Sequence, residues 1–374
     1  MKIRIDTVED ARQHSEFIDL PYRINAERDI FVPTPRELEE QFHDTSLNTK
    51  LSNCEQIRFL AYQDGECVGR IMGIIHHPSN EQKGKIVARF CRLDHIMDAP
   101  VSVELMKYME QWARDQGASE LIGPFEFDQL GRKGLLIEGI NILPAWNASS
   151  EDPYVAACLL GPDKEMWFDF FSYHIPVPEE DPAPLTRIAE RLRERGNFKV
   201  VGFNAAEELY PYLDQITVIY NSNCNTEYGF MPVEPEELKQ IIDVNIPFTD
   251  TSFIKCVTGP EDSVVAFVLA HRCVAEMLRT KDQETSFLTK ILGRKKQKLS
   301  DRVDLFTGAI EHRYRGMGID ALLALEMFSE CRARGIRTID SNLIYETNSL
   351  ARREMMKLGG EHVKMYRVFG KKLS

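Results

Sequence analysis

The feature that most constrains this chain is a predicted strand that runs into a short glycine-containing loop and then directly into a helix. Apolar residues predict the strand over 303–310, and apolar residues at helical spacing predict the helix over 319–334. Gly316 and Gly318 stand at alternate positions between the two elements. Such a junction points several backbone N–H groups at one place beside the positive end of a helix dipole, and glycine lets a large anion approach the backbone. The loop therefore predicts a site for a pyrophosphate group.

Well-known phosphate-binding loops differ from this one. A Walker loop ends in Gly-Lys-Ser/Thr and the dinucleotide fingerprint has a third glycine, and neither feature is present around Gly318. A tight strand-to-helix turn, in which glycine serves the geometry alone, is the alternative interpretation. The spacing of the glycines leaves both interpretations open.

A family resemblance favours the pyrophosphate. Arg315-Gly316-Met317-Gly318, after a strand ending in Gly308-Ala309-Ile310, resembles motif A of the GNAT acyltransferase superfamily, whose pattern is Arg/Gln-x-x-Gly-x-Gly/Ala. Asn348, the helix after it and residues 358–360 resemble that family's downstream motif, and the whole chain is similar to tandem-GNAT bacterial proteins. The resemblance implies an acyl-CoA-dependent N-acyltransferase that uses acetyl-CoA or another acyl-CoA in its C-terminal half. The residues implied to bind this cofactor are Ala309, Ile310, Arg315, Gly316, Met317, Gly318 and Asn348.

Two further side chains are predicted to carry the chemistry. Acyl transfer to an amine needs a base for the amine and an acid for the departing thiolate. Glu311 leaves the predicted strand at the end where a base could act through water, although an exposed loop carboxylate is the more common role of such a residue. Tyr366 is the predicted acid, with Tyr345 as a substitute, and each could instead be a packed aromatic on a strand.

Two departures from the family pattern leave other functions open. Asp320 stands in the first helical turn, where its carboxylate would repel a pyrophosphate, and Met355 occupies the position of the family's tyrosine acid. Both favour a non-catalytic GNAT-fold binding or interaction protein as an alternative. The second alternative is an aminoacyl-tRNA-dependent transferase, which the basic run at 294–298 favours and the net charge of −12 opposes.

The clearest division of the chain is a stretch with four prolines in nine residues, 176–184, which predicts an extended connector. It divides the chain into an N-terminal GNAT-like domain, 1–178, and a C-terminal GNAT domain with the glycine loop, 179–374. In the first domain the junction at 94–100 has two carboxylates and no glycine, so we expect no pyrophosphate loop there. The predicted fold class is α/β (α+β): two GNAT-like domains, each a mixed, mostly antiparallel sheet flanked by helices.

Individual elements follow from local patterns. Asp64-Gly65 between two apolar runs predicts a β-hairpin in the first half. In the second half we expect a helix over 205–220, a strand over 338–344 and a helix over 349–357.

Composition limits the compartment and the partners. The chain has 374 residues, of which 43% are hydrophobic and 28% charged, as in globular proteins. Its first residues lack the apolar core of a signal peptide, and no uncharged apolar run is long enough to span a bilayer. The eight cysteines form no Cys-x-x-Cys pair, and the neighbours His76 and His77 cannot chelate together from one strand. We therefore expect a cytoplasmic protein without a metal site, which binds neither nucleic acid nor membrane. The family resemblance implies that its substrate is a small-molecule or peptide amine.

Overall fold

The fold is built on one continuous mixed sheet with helices on both faces. The computed structural model describes residues 2–160, 165–195, 197–245, 250–279 and 300–373. The basic run at 294–298, on which the tRNA alternative depends, lies outside these ranges.

The first half alternates strands with helices. Its strands are β1 (Ile3–Thr7), β2 (Cys54–Gln63), β3 (Glu66–His76), β4 (Val87–His95), β5 (Glu120–Gly123), β6 (Leu135–Glu138) and β7 (Glu165–Pro176). Its helices are α1 (Ala11–Ile24), α2 (Arg36–His43), α3 (His77–Lys83), α4 (Ala99–Asp115) and α5 (Pro153–Leu159). The hairpin predicted at Asp64-Gly65 is confirmed, since both residues have positive φ and join β2 to β3, as a tight hairpin turn requires.

The second half repeats the alternation. Its strands are β8 (Lys199–Gly202), β9 (Lys255–Thr258), β10 (Val264–Arg272), β11 (Arg302–Ile310), β12 (Thr338–Asp340), β13 (Ile344–Tyr345) and β14 (Glu361–Lys372). Its helices are α6 (Ala183–Arg195), α7 (Leu213–Cys224), α8 (Pro235–Asn245), α9 (Ala275–Leu278), α10 (Ile319–Ala333) and α11 (Ser349–Lys357). The strand, loop and helix around Gly316 and the helix over 349–357 are confirmed.

Three local predictions were wrong in part. The connector is shorter than 176–184, because α6 begins at Ala183 and Pro184 lies in the first turn, where a missing N–H costs no helical bond. The helix expected over 205–220 is a 3₁₀ turn, Ala206–Tyr212, followed by α7, because Pro211 cannot donate an α-helical hydrogen bond. The strand expected over 338–344 is divided into β12 and β13.

The order of the strands in the sheet interleaves the two halves. It runs β1-β2-β3-β4-β5-β14-β7-β12-β11-β10-β9-β8, with β6 beside β14 and β13 beside β7. Among the described strands, β4–β5 and β11–β12 are the parallel pairs, so the sheet is mixed and mostly antiparallel, as predicted. Strand β14, from the end of the chain, lies between β5 and β7 of the first half. The domain boundary at 178 falls in the connection between β7 and α6 and stays a prediction.

Apolar packing covers both faces of this sheet. In the second half α6 and α10 pack on one face, whereas α7 and α8 pack on the other beside Phe267 and Leu269 of β10. In the first half α4 and α5 cover one face and α1 the other. None of the helices in the described ranges combines the length and the apolar content that a membrane span requires.

Candidate functional site

The sheet opens where β11 and β12 separate. These parallel strands pair over three residues only, 302–304 opposite 338–340. Asn342 then turns the chain with a φ of +55°, and β13 continues beside β7, with Tyr345 opposite Phe170. Because β10 occupies the other edge of β11, no described strand pairs with residues 305–310 on this side. We call this gap between β11 and β13 the β11 opening.

The backbone of β11 is irregular and accessible along the β11 opening. Its pairing with β10 shifts register between Leu269 and Ala270, which leaves Phe306 without a partner of its own, and Gly308 is exposed. Unpaired backbone N–H and C=O groups need hydrogen-bond partners. An extended ligand with amide groups could therefore pair with this edge as an added strand does.

The two glycines of the loop have different surroundings. Gly316 has a φ of +72°, and a Cβ placed there would meet nothing within 4 Å. Gly318 has a φ of +96°, and a Cβ there would lie 2.3 Å from Cγ2 of Ile188 on α6. Gly316 is therefore needed for its backbone conformation alone, whereas Gly318 is also needed for the close packing of α10 on α6.

The start of α10 offers backbone donors to an anion. In the described part of the chain, the N–H groups of Gly316, Gly318 and Ile319 donate to no backbone carbonyl. They lie at the N-terminus of a 15-residue helix, where the helix dipole favours negative charge. The loop thus presents free backbone donors a few residues after the end of β11.

Side chains fix the loop against α7 and the core. The guanidinium of Arg315 donates to the side-chain oxygen of Asn223 at the end of α7, and the Nε2 of His312 lies 3.0 Å from the carbonyl oxygen of Ser222. The rings of Tyr314 and Phe198 pack edge to face at 5.8 Å. Arg315 therefore already holds the loop in place, and its predicted contact with the cofactor stays a prediction.

The other predicted cofactor residues surround the β11 opening. Ala309 and Ile310 are the last residues of β11, and Met317 is 42% exposed in the loop. Asn348 caps α11, because its side-chain oxygen accepts from the N–H of Ala351 at 3.1 Å. The strand and loop residues are close along the chain, whereas Asn348 follows β13 on the other side of the gap, and their shared role in cofactor binding stays a prediction.

Two carboxylates lie close to the loop. Glu311 directly follows β11 and its Oε1 lies 2.7 Å from the Nε of Arg313. Asp320 lies in the first turn of α10, where burial and then the neighbouring Glu354 raise its pKa. The two groups thus differ in their surroundings, one paired with a cation and the other close to a second carboxylate.

The two candidate tyrosines lie on different strands. Tyr366 is fully buried on β14 opposite Phe170, its hydroxyl has no hydrogen-bond partner among the described residues, and burial raises its pKa well above the ordinary value. Strands β7 and β12 separate it from β11. Tyr345 is half-buried on β13, at the far side of the β11 opening, with its ring 5.4 Å from that of Phe170.

One side chain with a perturbed pKa, that of Glu151, was not predicted from the sequence. Glu151 lies in the loop between β6 and α5, and one of its carboxylate oxygens is buried without a partner in the described residues. Burial and then Asp94 raise its pKa from 4.5 to about 7, against the opposite effect of Arg132. A carboxyl group with this pKa can exchange a proton near neutral pH. An irregular loop has no periodicity, so the sequence offered no signal for this burial.

The first half closes the gap that corresponds to the β11 opening. Strands β4 and β5 also pair over three residues, 87–89 with 120–122, but the N–H of Phe125 then donates to the carbonyl oxygen of Phe90 at 2.8 Å. Arg92 fills the space beyond, bonded to Glu126 and lying with its Nε 2.9 Å from an oxygen of Glu39. This half therefore presents buried ion pairs where the second half presents an open strand edge.

The buried charges of the first half are strongly coupled. Burial alone would raise the pKa of Glu39, but Arg92 and Arg70 outweigh it and hold the pKa well below its ordinary value. Asp94, at the junction that lacks glycine, accepts from the Nε of Arg70 at 2.8 Å. The carboxylate of Asp94 is thus engaged in a buried ion pair with Arg70.

Two known proteins are similar to this chain in sequence over almost its complete length. No family model matches the chain. Protein YghO of Escherichia coli (strain K12) is 24% identical over 366 residues, which cover 96% of this chain and 92% of that protein. Bacterial ceramide synthase of Caulobacter vibrioides (strain NA1000 / CB15N) is 24% identical over 376 residues, which cover 96% of this chain and 94% of that protein.

A solved structure is similar over the complete length of both chains. A tandem GNAT protein from the clavulanic acid biosynthesis pathway superimposes with a TM-score of 0.58 at 10% identity, covering 100% of this chain and 99% of that chain. Agreement of this extent at such low identity reflects the fold. The chain therefore has the tandem GNAT fold, as its glycine loop and downstream motif predicted.

Proposed function

We propose that this chain is an acyl-CoA-dependent N-acyltransferase whose acyl donor binds along the β11 opening. The observation that carries this proposal is the unpaired edge of β11, 305–310, which leads directly to the open N–H groups of Gly316 and Gly318. Backbone amides of the strand suit the amide-containing arm of coenzyme A, and the start of α10 suits its pyrophosphate. Ala309, Ile310, Met317 and the glycines would hold the donor.

The chemistry assigns distinct tasks to the side chains around the gap. Bound acyl-CoA supplies an acyl thioester, whose C–S bond breaks as an N–C bond forms to the amine while one proton passes from nitrogen to sulfur. Glu311, at the end of β11, would receive the proton of the amine through water. Tyr345 is better placed than Tyr366 to donate a proton to sulfur, because it lies on the strand that borders the gap whereas Tyr366 is fully buried.

The name of one relative supports an amine as the acceptor. A ceramide is an amide, so the relative named as a bacterial ceramide synthase carries a name that implies N-acylation. We infer that the same reaction type, on a small-molecule or peptide amine, applies here. The donor is assigned to the second half, since buried ion pairs of Arg92 occupy the corresponding space in the first half.

Binding of the donor is tested by titration calorimetry with coenzyme A and acetyl-CoA. Gly316→Glu places a carboxylate beside the proposed pyrophosphate, and we expect affinity to fall at least about tenfold through charge repulsion. Gly335→Glu is the matched control, because Gly335 has a φ of +67° and equally open surroundings at the other end of α10. Gly318→Glu is unsuitable, since it would also displace Ile188.

The outcomes separate the proposal from its alternative. Equal affinities of the two glutamate variants would place the donor elsewhere. Absence of binding by the native protein would favour a non-catalytic protein, in agreement with Asp320 and Met355. Binding without release of free thiol across a panel of amines would favour the same alternative.

A further inference from the structure

An apolar cavity lies beside the β11 opening. It is bordered by Ile241 and Ile242 of α8, by Leu269 and His271 of β10, and by Phe306 of β11. It is a half-open pocket, and its volume of about 360 Å³ is an upper bound because this figure includes the adjoining open solvent. Apart from His271, the side chains that border it in the described part of the chain are apolar.

The position of Phe306 connects this cavity to the donor. Phe306 is the residue left unpaired by the register shift, in the stretch of β11 that has no strand on its outer edge. The wall of the cavity is therefore part of the strand along which we place the donor. The cavity and the outer edge of β11 thus share Phe306.

The chemistry of the lining selects one type of occupant. Ile242 and Leu269 are 7% and 4% exposed, and His271 is the one titratable lining residue in the described part of the chain. An ammonium group would lose its hydration in such a space without gaining a carboxylate among the described lining residues. A hydrocarbon chain gains from the same transfer, because each methylene buried from water favours binding about fourfold.

We propose that the cavity between α8, β10 and β11 receives the acyl chain of the donor, so that the donor carries a hydrocarbon chain longer than acetyl. This inference rests on the proposed function, since it assumes that acyl-CoA lies along β11. It adds a substrate class, medium- or long-chain acyl-CoA, and assigns chain-length selection to Ile242, Leu269 and Phe306.

Calorimetry with coenzyme A, acetyl-CoA and octanoyl-CoA tests the inference as a binding measurement independent of turnover. We expect octanoyl-CoA to bind at least about tenfold more tightly than acetyl-CoA, because several methylenes leave water. Leu269→Phe reduces the cavity from the sheet and Ile242→Phe reduces it from α8. Each variant should bind octanoyl-CoA no more tightly than acetyl-CoA, and its affinity for coenzyme A should be unchanged.

Val268→Phe is the matched control for overpacking. Val268 precedes Leu269 on β10, but its side chain belongs to the core on the other face of the sheet. This variant should keep the preference for octanoyl-CoA. If Leu269→Phe fails to fold, as judged by its thermal transition, Ile242→Phe on the opposite wall still decides the question.

Failure of the inference is distinguishable from failure of the proposed function. If coenzyme A and acetyl-CoA bind but octanoyl-CoA binds no more tightly, or if both cavity variants keep the gain, the acyl-chain site is disproved and the proposed function stands. If dodecylamine loses affinity in the variants while octanoyl-CoA does not, the cavity belongs to the acceptor, which also overturns the inference. If no coenzyme A derivative binds to the native protein, both proposals fall.

Discussion

The ammonium nitrogen of Lys364 lies 2.6 Å from an oxygen of Asp340, although β7 separates the strands that carry them. Both side chains are almost completely buried, at 1% and 0% exposure. Asp340 also accepts from Ser172 at 2.6 Å, and the Nε2 of His174 lies 3.1 Å from it. Burial alone would raise the pKa of Asp340, but Lys364, His174 and Arg302 together outweigh it and hold the pKa well below its ordinary value. The pair thus links β14, which lies among strands of the first half, to β12 of the second half.

Removal of the lysine from this pair should be strongly destabilising. Lys364→Met leaves Asp340 as a buried charge without its cation, and we expect the free energy of unfolding to fall by about 3–5 kcal/mol. The control is Lys371→Met on the same strand, whose ion pair with Glu110 is partly exposed and should contribute less than about 1 kcal/mol. Urea denaturation measures the free energy of unfolding of both variants. Equal losses would contradict a larger contribution from the buried Lys364–Asp340 pair.

The two loop glycines should differ in how much an alanine destabilises the fold. Gly316→Ala should cost about 1–2 kcal/mol, from positive φ alone. Gly318→Ala should cost about 1–3 kcal/mol more, because its Cβ also overlaps Ile188. Adding Ile188→Ala should recover part of the loss at Gly318 and none at Gly316. A double-mutant cycle in urea measures this coupling, and a coupling near zero would show that α6 moves away freely.

The buried carboxyl of Glu151 should make stability depend on pH. Its pKa is raised from 4.5 to about 7, so the fold favours the protonated form. This contribution is complete below pH 4.5 and is lost as the pH rises through 7. Glu151→Gln should therefore be more stable than the native protein by about 3 kcal/mol at pH 8, with the difference shrinking towards pH 5.

Thermal unfolding at several pH values measures this effect. Glu179→Gln is the control, since Glu179 is exposed in the connection between β7 and α6 and should change stability equally little at every pH. A constant difference between the Glu151 variant and the native protein from pH 5 to pH 8 would refute the raised pKa.

Asp320 should oppose binding of the donor. Asp320→Asn removes a negative charge from the first turn of α10, and we expect coenzyme A to bind a few-fold to about tenfold more tightly at pH 8. Burial and Glu354 raise the pKa of Asp320, so its carboxylate is neutralised sooner as the pH falls and the gain should shrink towards pH 5. Calorimetry at both pH values measures this. Asp301→Asn, exposed at the other end of β11, should have no effect, and an equal gain from it would exclude a local cause.

Much of the C-terminal half was predictable because its signals are local. Gly316 and Gly318 mark the start of α10, and Asn348 marks the start of α11, through interactions with residues at most a few positions away. The exceptions are also local in origin: Pro184 permits a helix inside the expected connector, and Asn342 divides the expected strand. Patterns of hydrophobicity describe which elements form, but they average over such single-residue effects.

What the sequence by itself determined is therefore the set of elements, the strand–loop–helix around Gly316 and the fold class. Only the tertiary structure decided that β14 lies between β5 and β7, that Asp340 meets Lys364, and that the gap is open beside β11 but closed by Arg92 in the first half. The physical reason is the range of the interactions. Helix capping and turn conformations depend on neighbouring residues, whereas strand pairing and buried ion pairs join distant residues, whose contact depends on how the complete core packs.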